Sequence, residues 1–162
     1  MPKDLQERLV EKLVTLLGDP QIEVSSSASI TLAGVLKIVD NTYTEKCCNM
    51  FMELAETKLP KKSEATDTDY SELLRKRHSG IFGLSSILGA HTYDIPPWMP
   101  NMLLKFASHM SDPEPIRNTV KTSMMEFWRT HSDMWNAEFS RMFTSDQINE
   151  LRQLLVAPSY YA

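Results

Sequence analysis

The sequence is poor in the residues that stabilise secreted proteins or hold metal ions. Its only two cysteines, Cys47 and Cys48, are adjacent, and neighbouring residues cannot easily reach disulfide geometry. We therefore interpret them as reduced, mostly buried thiols. Two soft ligands are also too few for a structural zinc site, because the four histidines are scattered without a His-x-x-x-His spacing. No metal and no cofactor are predicted.

Long apolar runs are also missing. No stretch approaches the roughly 18 to 20 uninterrupted apolar residues of a membrane span, and residues 1–5 lack the apolar region of a signal peptide. With 17 Lys+Arg against 21 Asp+Glu the net charge is −4, which argues against binding nucleic acid by bulk attraction. We expect a soluble protein of the nucleus and cytoplasm, with no membrane and no direct nucleic-acid partner.

Catalytic signatures are absent as well. The chain has no Gly-x-Ser-x-Gly elbow, no Walker loop, no His-Glu-x-x-His and no dinucleotide fingerprint. Glu45, Glu53 and Glu56 fall at helical spacing on one face and are interpreted as a solvated surface rather than acid/base groups. The histidines are expected at the surface or at helix ends. These observations predict a protein that is not an enzyme.

What the chain does have is helical periodicity from end to end. It predicts an all-α fold of about eight helices without strands. Glycines inside the fourth helix (Gly80, Gly83, Gly89) predict close contact with neighbouring helices and a central position. The predicted helices are one ending at Gly18-Asp19-Pro20, a second from about Gln21, Thr44–Leu59, Tyr70–Ala90, one with Pro97 or Pro100 in its first turn, Pro115–Thr130, a short one holding Met134 to Met142, and a last one from about Thr144.

Two other segments allow alternatives. The polar stretch 61–69 has no apolar stripe, so we expect an exposed, mobile loop; its lysines, with Lys58, could instead belong to a nuclear localisation signal. The ten methionines mostly coincide with apolar stripes, which favours core packing over an adaptable binding groove.

An internal repeat organises these helices. Residues 16–24 resemble residues 110–117, each with a helix, an Asp-Pro turn and a second helix with apolar residues four apart. This pattern resembles the HEAT repeat, in which the Asp caps the second helix and the Pro stiffens the turn. Residues 1–156 are therefore predicted to form an α-solenoid of antiparallel helix hairpins. If they continue a longer array, Leu5, Leu9 and Leu13 should be exposed on the first helix.

The C-terminus has a different character. Pro158 is predicted to end the last helix, leaving residues 157–162 as a flexible tail. Tyr160 and Tyr161 lie directly before Ala162 and its carboxylate. Exposed aromatic rings are unusual in a disordered tail because burial stabilises them, so the tail is interpreted as a docking peptide.

Together with the helical pattern, this ending resembles the large ATP-independent HEAT-repeat proteasome activators, the proteasome activator complex subunit four family, in their C-terminal region. The similarity runs from about Leu13 onward. Members of that family are far longer, so the chain is expected to be a C-terminal fragment or a truncated relative. The resemblance is carried, in order, by Thr57–Lys62, Tyr93–Pro100, Asp112–Ile116, Arg129–His131 and Leu154–Ala162.

The resemblance implies a mechanism and a partner, the α ring of the proteasome core particle. The tail would insert between neighbouring α subunits and promote ATP-independent gate opening. The Ala162 carboxylate would pair with a pocket lysine, Tyr161 would press on a turn that controls the gate, and Tyr160 would fill the apolar part of the pocket. The family also implies roles in DNA repair and histone degradation.

An alternative function also comes from the family, which is credited with a bromodomain-like region that binds acetyl-lysine on histones. The corresponding stretch, Lys37–Tyr43, lacks the Asn-Phe pair that serves the ligand there. Asn41 and Tyr43 are the candidate substitutes. Acetylated histones are therefore the alternative partner, and a plain helical scaffold with an incidental tail is the third hypothesis.

Overall fold

In the computed structural model, residues 1–61, 66–131 and 143–160 are described, with only the backbone at 151 and 154–160. The secondary structure of these residues is helical and includes no strand, which confirms the all-α prediction. The short helix predicted around Met134 to Met142 lies outside the described residues. The helices are α1 (Lys3–Leu17), α2 (Ile22–Leu36), α3 (Asn41–Ala55), α4 (Asp67–Ala90), α5 (Met99–Ser108), a 3-10 turn (His109–Ser111), α6 (Ile116–His131) and α7 (Ser145–Tyr160).

The chain divides into two compact units, Met1–Ala90 and His91–Ala162. In the first unit, α1 and α2 are joined by a short turn and packed together, so they form an antiparallel hairpin as predicted. Helix α4 packs against α1, α2 and α3, which confirms its central position. In the second unit, α5 packs against α6 and α7. The single predicted domain over residues 1–156 thus contains the boundary between the units.

The glycines of α4 explain how its neighbours come so close. A Cβ atom on Gly80 would lie 2.3 Å from the backbone nitrogen of Ala55, and one on Gly83 would lie 2.3 Å from the Phe51 ring. Phe51 itself is fully buried. Only hydrogen at these two positions lets α3 pack directly on the α4 backbone.

Helix α2 contacts α4 through a buried polar pair. The Ser29 hydroxyl donates to the Phe82 carbonyl at 2.9 Å, and the Ser86 hydroxyl donates to the Ser29 carbonyl at 2.8 Å. The two hydroxyl oxygens lie 3.0 Å apart. Small side chains with satisfied hydrogen bonds therefore replace a large apolar contact between these helices.

Helix α3 begins and ends earlier than predicted. It starts at Asn41, not Thr44, because the Asp40 carboxylate accepts a hydrogen bond from the Thr42 N–H at 2.8 Å. This bond also holds the pKa of Asp40 below its usual range. At the other end the helix stops at Ala55 rather than Leu59, and just beyond this end the Thr57 hydroxyl donates to the Leu54 carbonyl at 2.6 Å.

Helix α4 begins at Asp67 instead of Tyr70. The Thr66 hydroxyl accepts a hydrogen bond from the Asp69 N–H at 3.2 Å and so caps the helix start. The last part of the loop predicted at 61–69 is therefore helical. Residues 62–65 lie outside the described residues, and the mobility of the loop remains a prediction.

The two Asp-Pro turns share a sequence pattern but use it differently. Asp19 accepts a hydrogen bond from the Gln21 N–H at 2.8 Å, directly before α2. In the second turn Asp112 lies 2.7 Å from Nδ1 of His109, whereas the first-turn N–H of Asn118 donates to the carboxylate of Glu114. Glu114 therefore supplies a cap of α6, the role that the repeat predicts for Asp112.

Exposed apolar surface on α1 follows the prediction only in part. Leu5 is 50% exposed, but Leu13 is only 8% exposed, so its predicted exposure is wrong. Leu13 belongs to the buried stripe of Val10 and Leu17, which packing within the first unit covers.

The core of the second unit contains the methionines expected there. Met99, Met102 and Met124 are at most 1% exposed, which agrees with core packing. Met125 is 59% exposed, so not every methionine serves the core.

Candidate functional site

Helix α7 carries the chain toward the predicted docking tail, and its start is held by the predicted capping box. The Gln147 N–H donates to the Thr144 hydroxyl at 3.1 Å, and the Thr144 N–H donates to Oε1 of Gln147 at 2.8 Å. Phe143, directly before the cap, is buried. Together with Ile148 it occupies the positions of a hydrophobic staple.

Packing against α5 positions α7 within the second unit. The buried face of α5 contributes Met102, Leu103 and Phe106, and Pro100 lies in its first turn as predicted. The C-terminal helix is therefore capped at its first turn and packed against a neighbouring helix.

The prediction that Pro158 ends the last helix is wrong, because α7 continues to Tyr160. Proline removes one backbone donor and disfavours helical geometry before it, but a helix can continue beyond it. Of the predicted docking residues, Tyr160 is thus the last residue of α7, while Tyr161 and Ala162 lie outside the described residues. The boundary predicted between 156 and 157 falls inside the helix.

The cap of α7 leads to a testable prediction. Thr144→Ala removes the acceptor of the Gln147 N–H and should destabilise α7 by about 1 kcal/mol. Amide hydrogen exchange should show faster exchange confined to this helix. Thr122→Ala is the matched control, since Thr122 lies exposed inside α6 and alanine favours the helix there. Equal exchange in α7 of the wild type and Thr144→Ala would contradict the assignment of the cap.

The candidate acetyl-lysine residues, Asn41 and Tyr43, lie in the first turn of α3. Asn41 is exposed and Tyr43 is half-buried. Residues two apart on a helix do not share a face, so these side chains do not converge on one pocket. Burial, followed by the nearby Cys47, raises the pKa of Tyr43 to about 12. The acetyl-lysine site remains a prediction, without geometry that favours it.

The two adjacent thiols are buried and hard to ionise. Cys47 and Cys48 are free and buried as predicted, and burial raises their pKa values to about 11 and about 12. Both thiols are therefore protonated near neutral pH, and the nucleophilic thiolate form is scarce. Among the described residues, no group of three metal-binding side chains comes together. Nor does any helix in this part of the chain combine the length and apolarity needed to span a bilayer.

The expected surface position of the histidines is wrong, because all four are buried. Three of them do lie at helix ends, as the alternative prediction states: His91 follows α4, His109 follows α5 and His131 ends α6. His91 and His109 each bond an aspartate three residues later, at 3.0 and 2.7 Å. The shared spacing His-x-x-Asp, with a proline one or two residues after the aspartate, is a signal that could have predicted this arrangement.

Comparison with known proteins identifies the region that contains α7. The family model described as "Proteasome activator complex subunit 4-like, C-terminal" matches residues 74–162, more than half of the chain. The chain belongs to this family. The match includes α4 from its eighth residue, the whole second unit, and the C-terminal Tyr-Tyr-Ala.

Individual members of the family extend the similarity toward the N-terminus. "Proteasome activator complex subunit 4" of Homo sapiens is 41% identical over 155 residues, which is 93% of this chain and 8% of the relative. "Proteasome activator subunit 4" of Arabidopsis thaliana is 28% identical over 97% of this chain and 9% of its own length. "Proteasome activator BLM10" of Saccharomyces cerevisiae is 30% identical over 54% of this chain and 4% of its own length.

The chain therefore spans less than a tenth of the length of these relatives. It corresponds to their C-terminal part by the family model. Whatever the remaining length of the relatives contributes to their function is not contained in these 162 residues.

Proposed function

We propose that this chain is a C-terminal module of a proteasome activator that docks its Tyr-Tyr-Ala end between α subunits of the core particle and promotes ATP-independent gate opening. The observation that carries the proposal is the family match through residue 162, together with relatives named as proteasome activators. The role is regulatory, with no catalysis and no cofactor of its own, and we propose that it operates in the nucleus and cytoplasm.

The chemistry of the last three residues suits insertion into a pocket. The Ala162 carboxylate can accept a charge-assisted hydrogen bond from a lysine, the ring of Tyr160 can bury apolar area, and Tyr161 combines a ring with a hydroxyl. Such a hydrogen bond contributes roughly 1.5 to 3 kcal/mol. A free tail of this size would bind weakly, so its attachment matters.

Helix α7 supplies that attachment. It has 16 residues and therefore a length of about 24 Å, with a capped first turn and α5 packed against it. A chain end that continues from an anchored helix loses less conformational entropy on binding than a free peptide. Contacts of the rest of the protein with the ring would raise the effective concentration of the tail further.

The proposal predicts different results for three tail variants of the full chain mixed with purified core particle. Tyr161→Phe keeps the ring, so binding should persist while stimulated hydrolysis of a fluorogenic peptide falls. Deleting Ala162 moves the carboxylate by about 3.5 Å, out of reach of the same lysine, so binding should weaken. Tyr160→Ala should cost about 2 kcal/mol, or roughly 30-fold in affinity.

The matched control is Tyr93→Ala, which removes the same side chain from a position that is 79% exposed in the second unit. It should leave binding and hydrolysis unchanged. Wild-type binding and hydrolysis in all three tail variants would rule out docking through the tail. Binding of an acetylated histone peptide that is lost in Asn41→Ala and Tyr43→Phe would then favour the acetyl-lysine alternative.

A further inference from the structure

Helix α6 carries a second surface that the tail does not involve. Arg117, Lys121, Met125 and Trp128 recur at spacings of four, four and three residues. At about 100° per residue they fall within roughly 80° of one another along one side of the helix. We call these four residues the α6 flank.

The α6 flank does not coincide with the face that α6 buries. Met125 is 59% exposed and Trp128 is 38% exposed, and Arg117 is exposed beside the half-buried Lys121. Exposed methionine, tryptophan and arginine together are typical of protein interfaces rather than of ordinary surface. The residues that α6 buries are Ile116, Val120, Met124, Phe127 and His131.

The carboxylates of this region already have partners elsewhere. Glu126 forms an ion pair with Arg129, whose Nε donates to the carboxylate at 3.0 Å. Glu114 accepts the Asn118 N–H at 3.1 Å. Within the described ranges no ion pair includes Arg117 or Lys121. The α6 flank therefore presents two cations without a carboxylate of its own.

We propose that the α6 flank is a docking site for an acidic and apolar peptide segment of a protein partner. Carboxylates of the segment would pair with Arg117 and Lys121, since arginine binds a carboxylate through two parallel hydrogen bonds. An apolar side chain of the segment would pack on Met125 and Trp128.

The helix geometry specifies the spacing that such a segment needs. Arg117 and Met125 are eight residues apart, which is about 12 Å along the helix axis. An extended peptide covers this distance in about four residues. The segment should therefore carry a carboxylate and an apolar side chain about four positions apart.

A peptide partner suits the charge of this surface better than a lipid or nucleic-acid surface does. Recognition of an anionic leaflet uses clusters of four to eight cations at about 1 kcal/mol each, whereas the α6 flank has two. The net charge of the whole chain is −4, which opposes binding to any extended anionic surface.

The test needs neither the core particle nor the tail, so its failure is distinguishable from failure of the docking proposal above. The probe is a fluorescein-labelled synthetic peptide with two adjacent glutamates and a phenylalanine four positions further, in a Gly-Ser background. Fluorescence anisotropy with the full chain should show saturable binding that weakens with added salt. Peptides with lysine replacing glutamate, or serine replacing phenylalanine, should bind at least about tenfold more weakly.

Substitutions in the chain test whether the peptide binds at the α6 flank. Arg117→Glu with Lys121→Glu should weaken binding by about tenfold or more, and Met125→Ser should weaken it by about threefold through lost apolar contact. Lys46→Glu with Lys76→Glu is the matched control, because both lysines are exposed in the first unit and the change in net charge is the same. Circular dichroism verifies that each variant is folded.

Three results would overturn the proposal. One is the absence of saturable wild-type binding up to millimolar peptide. Another is an equal loss of affinity in the Lys46 and Lys76 control. The third is binding of phosphatidylserine vesicles, rather than the peptide, that the Arg117 and Lys121 reversal abolishes.

Discussion

Gly80→Ala is expected to destabilise the first unit by about 3 kcal/mol or more. The added Cβ would lie 2.3 Å from the Ala55 nitrogen and 2.6 Å from the Phe51 carbonyl oxygen. Both are backbone atoms of α3, so no side-chain rotation can relieve the overlap and the two helices must separate. Urea denaturation of the full chain measures the loss as a lower midpoint.

Alanine substitutions at two other helical glycines of the same unit distinguish the effect of steric overlap from that of helix propensity. A Cβ atom on Gly34 in α2 would have no neighbouring atom within 4 Å, so Gly34→Ala should stabilise by up to about 1 kcal/mol. Gly83→Ala should destabilise, because its Cβ would meet the buried Phe51 ring at 2.3 Å. If Gly80→Ala were as stable as Gly34→Ala, α3 could not pack as closely on α4 as described.

The second large effect is expected from acidification. His78 in α4 is buried and stacks on Phe82 with ring centroids 4.1 Å apart. Burial lowers the pKa of His78 to about 4 from an ordinary value of 6.5. Between these values the unfolded chain binds more protons than the folded chain, so stability rises with pH. The contribution is complete above about pH 6.5 and is lost as the pH falls toward 4.

Between about pH 7.5 and pH 5 the titration of His78 lowers the free energy of unfolding by roughly 2 kcal/mol. His78→Gln removes the titrating group, so its free energy of unfolding should depend less on pH over this range. The two proteins are compared by the slope of unfolding free energy against pH. Their absolute stabilities are not compared, because the variant also lacks the ring that stacks on Phe82. Parallel pH profiles for the wild type and His78→Gln would show that His78 does not couple folding to protons.

Helix ends show where local sequence signals were sufficient and where they were missed. The Thr144 and Gln147 capping box is a local pattern, and the structure has its reciprocal hydrogen bonds. Asp40 and Thr66 cap α3 and α4 in the same local way. Their signals were present in the sequence, but apolar periodicity alone placed both helix starts three residues late, because the first turn of a helix carries polar residues.

Burial of polar side chains could not be predicted from periodicity. Ser29 and Ser86 match a solvated position as well as an interior one, and they become buried only because α2 and α4 place each within hydrogen-bonding distance of the other. His78 follows three charged residues, yet it lies on the side of α4 that the first unit covers. Hydrogen bonds stabilise buried polar groups, and for Ser29 and Ser86 the partners lie more than 50 residues apart in the sequence.

The sequence by itself determined the helical class, the central position of the glycine-rich helix, the free buried cysteines and, through its resemblance and its family match, the proteasome activator family. These properties depend on composition, on local periodicity and on short motifs, all of which can be recognised along a single chain. The tertiary structure alone decided that Leu13 and the four histidines are buried, that Asp112 bonds His109, and that Met125 and Trp128 stay exposed. Each of these depends on which surfaces of distant helices meet, because packing removes one face of a helix from water and leaves the other exposed.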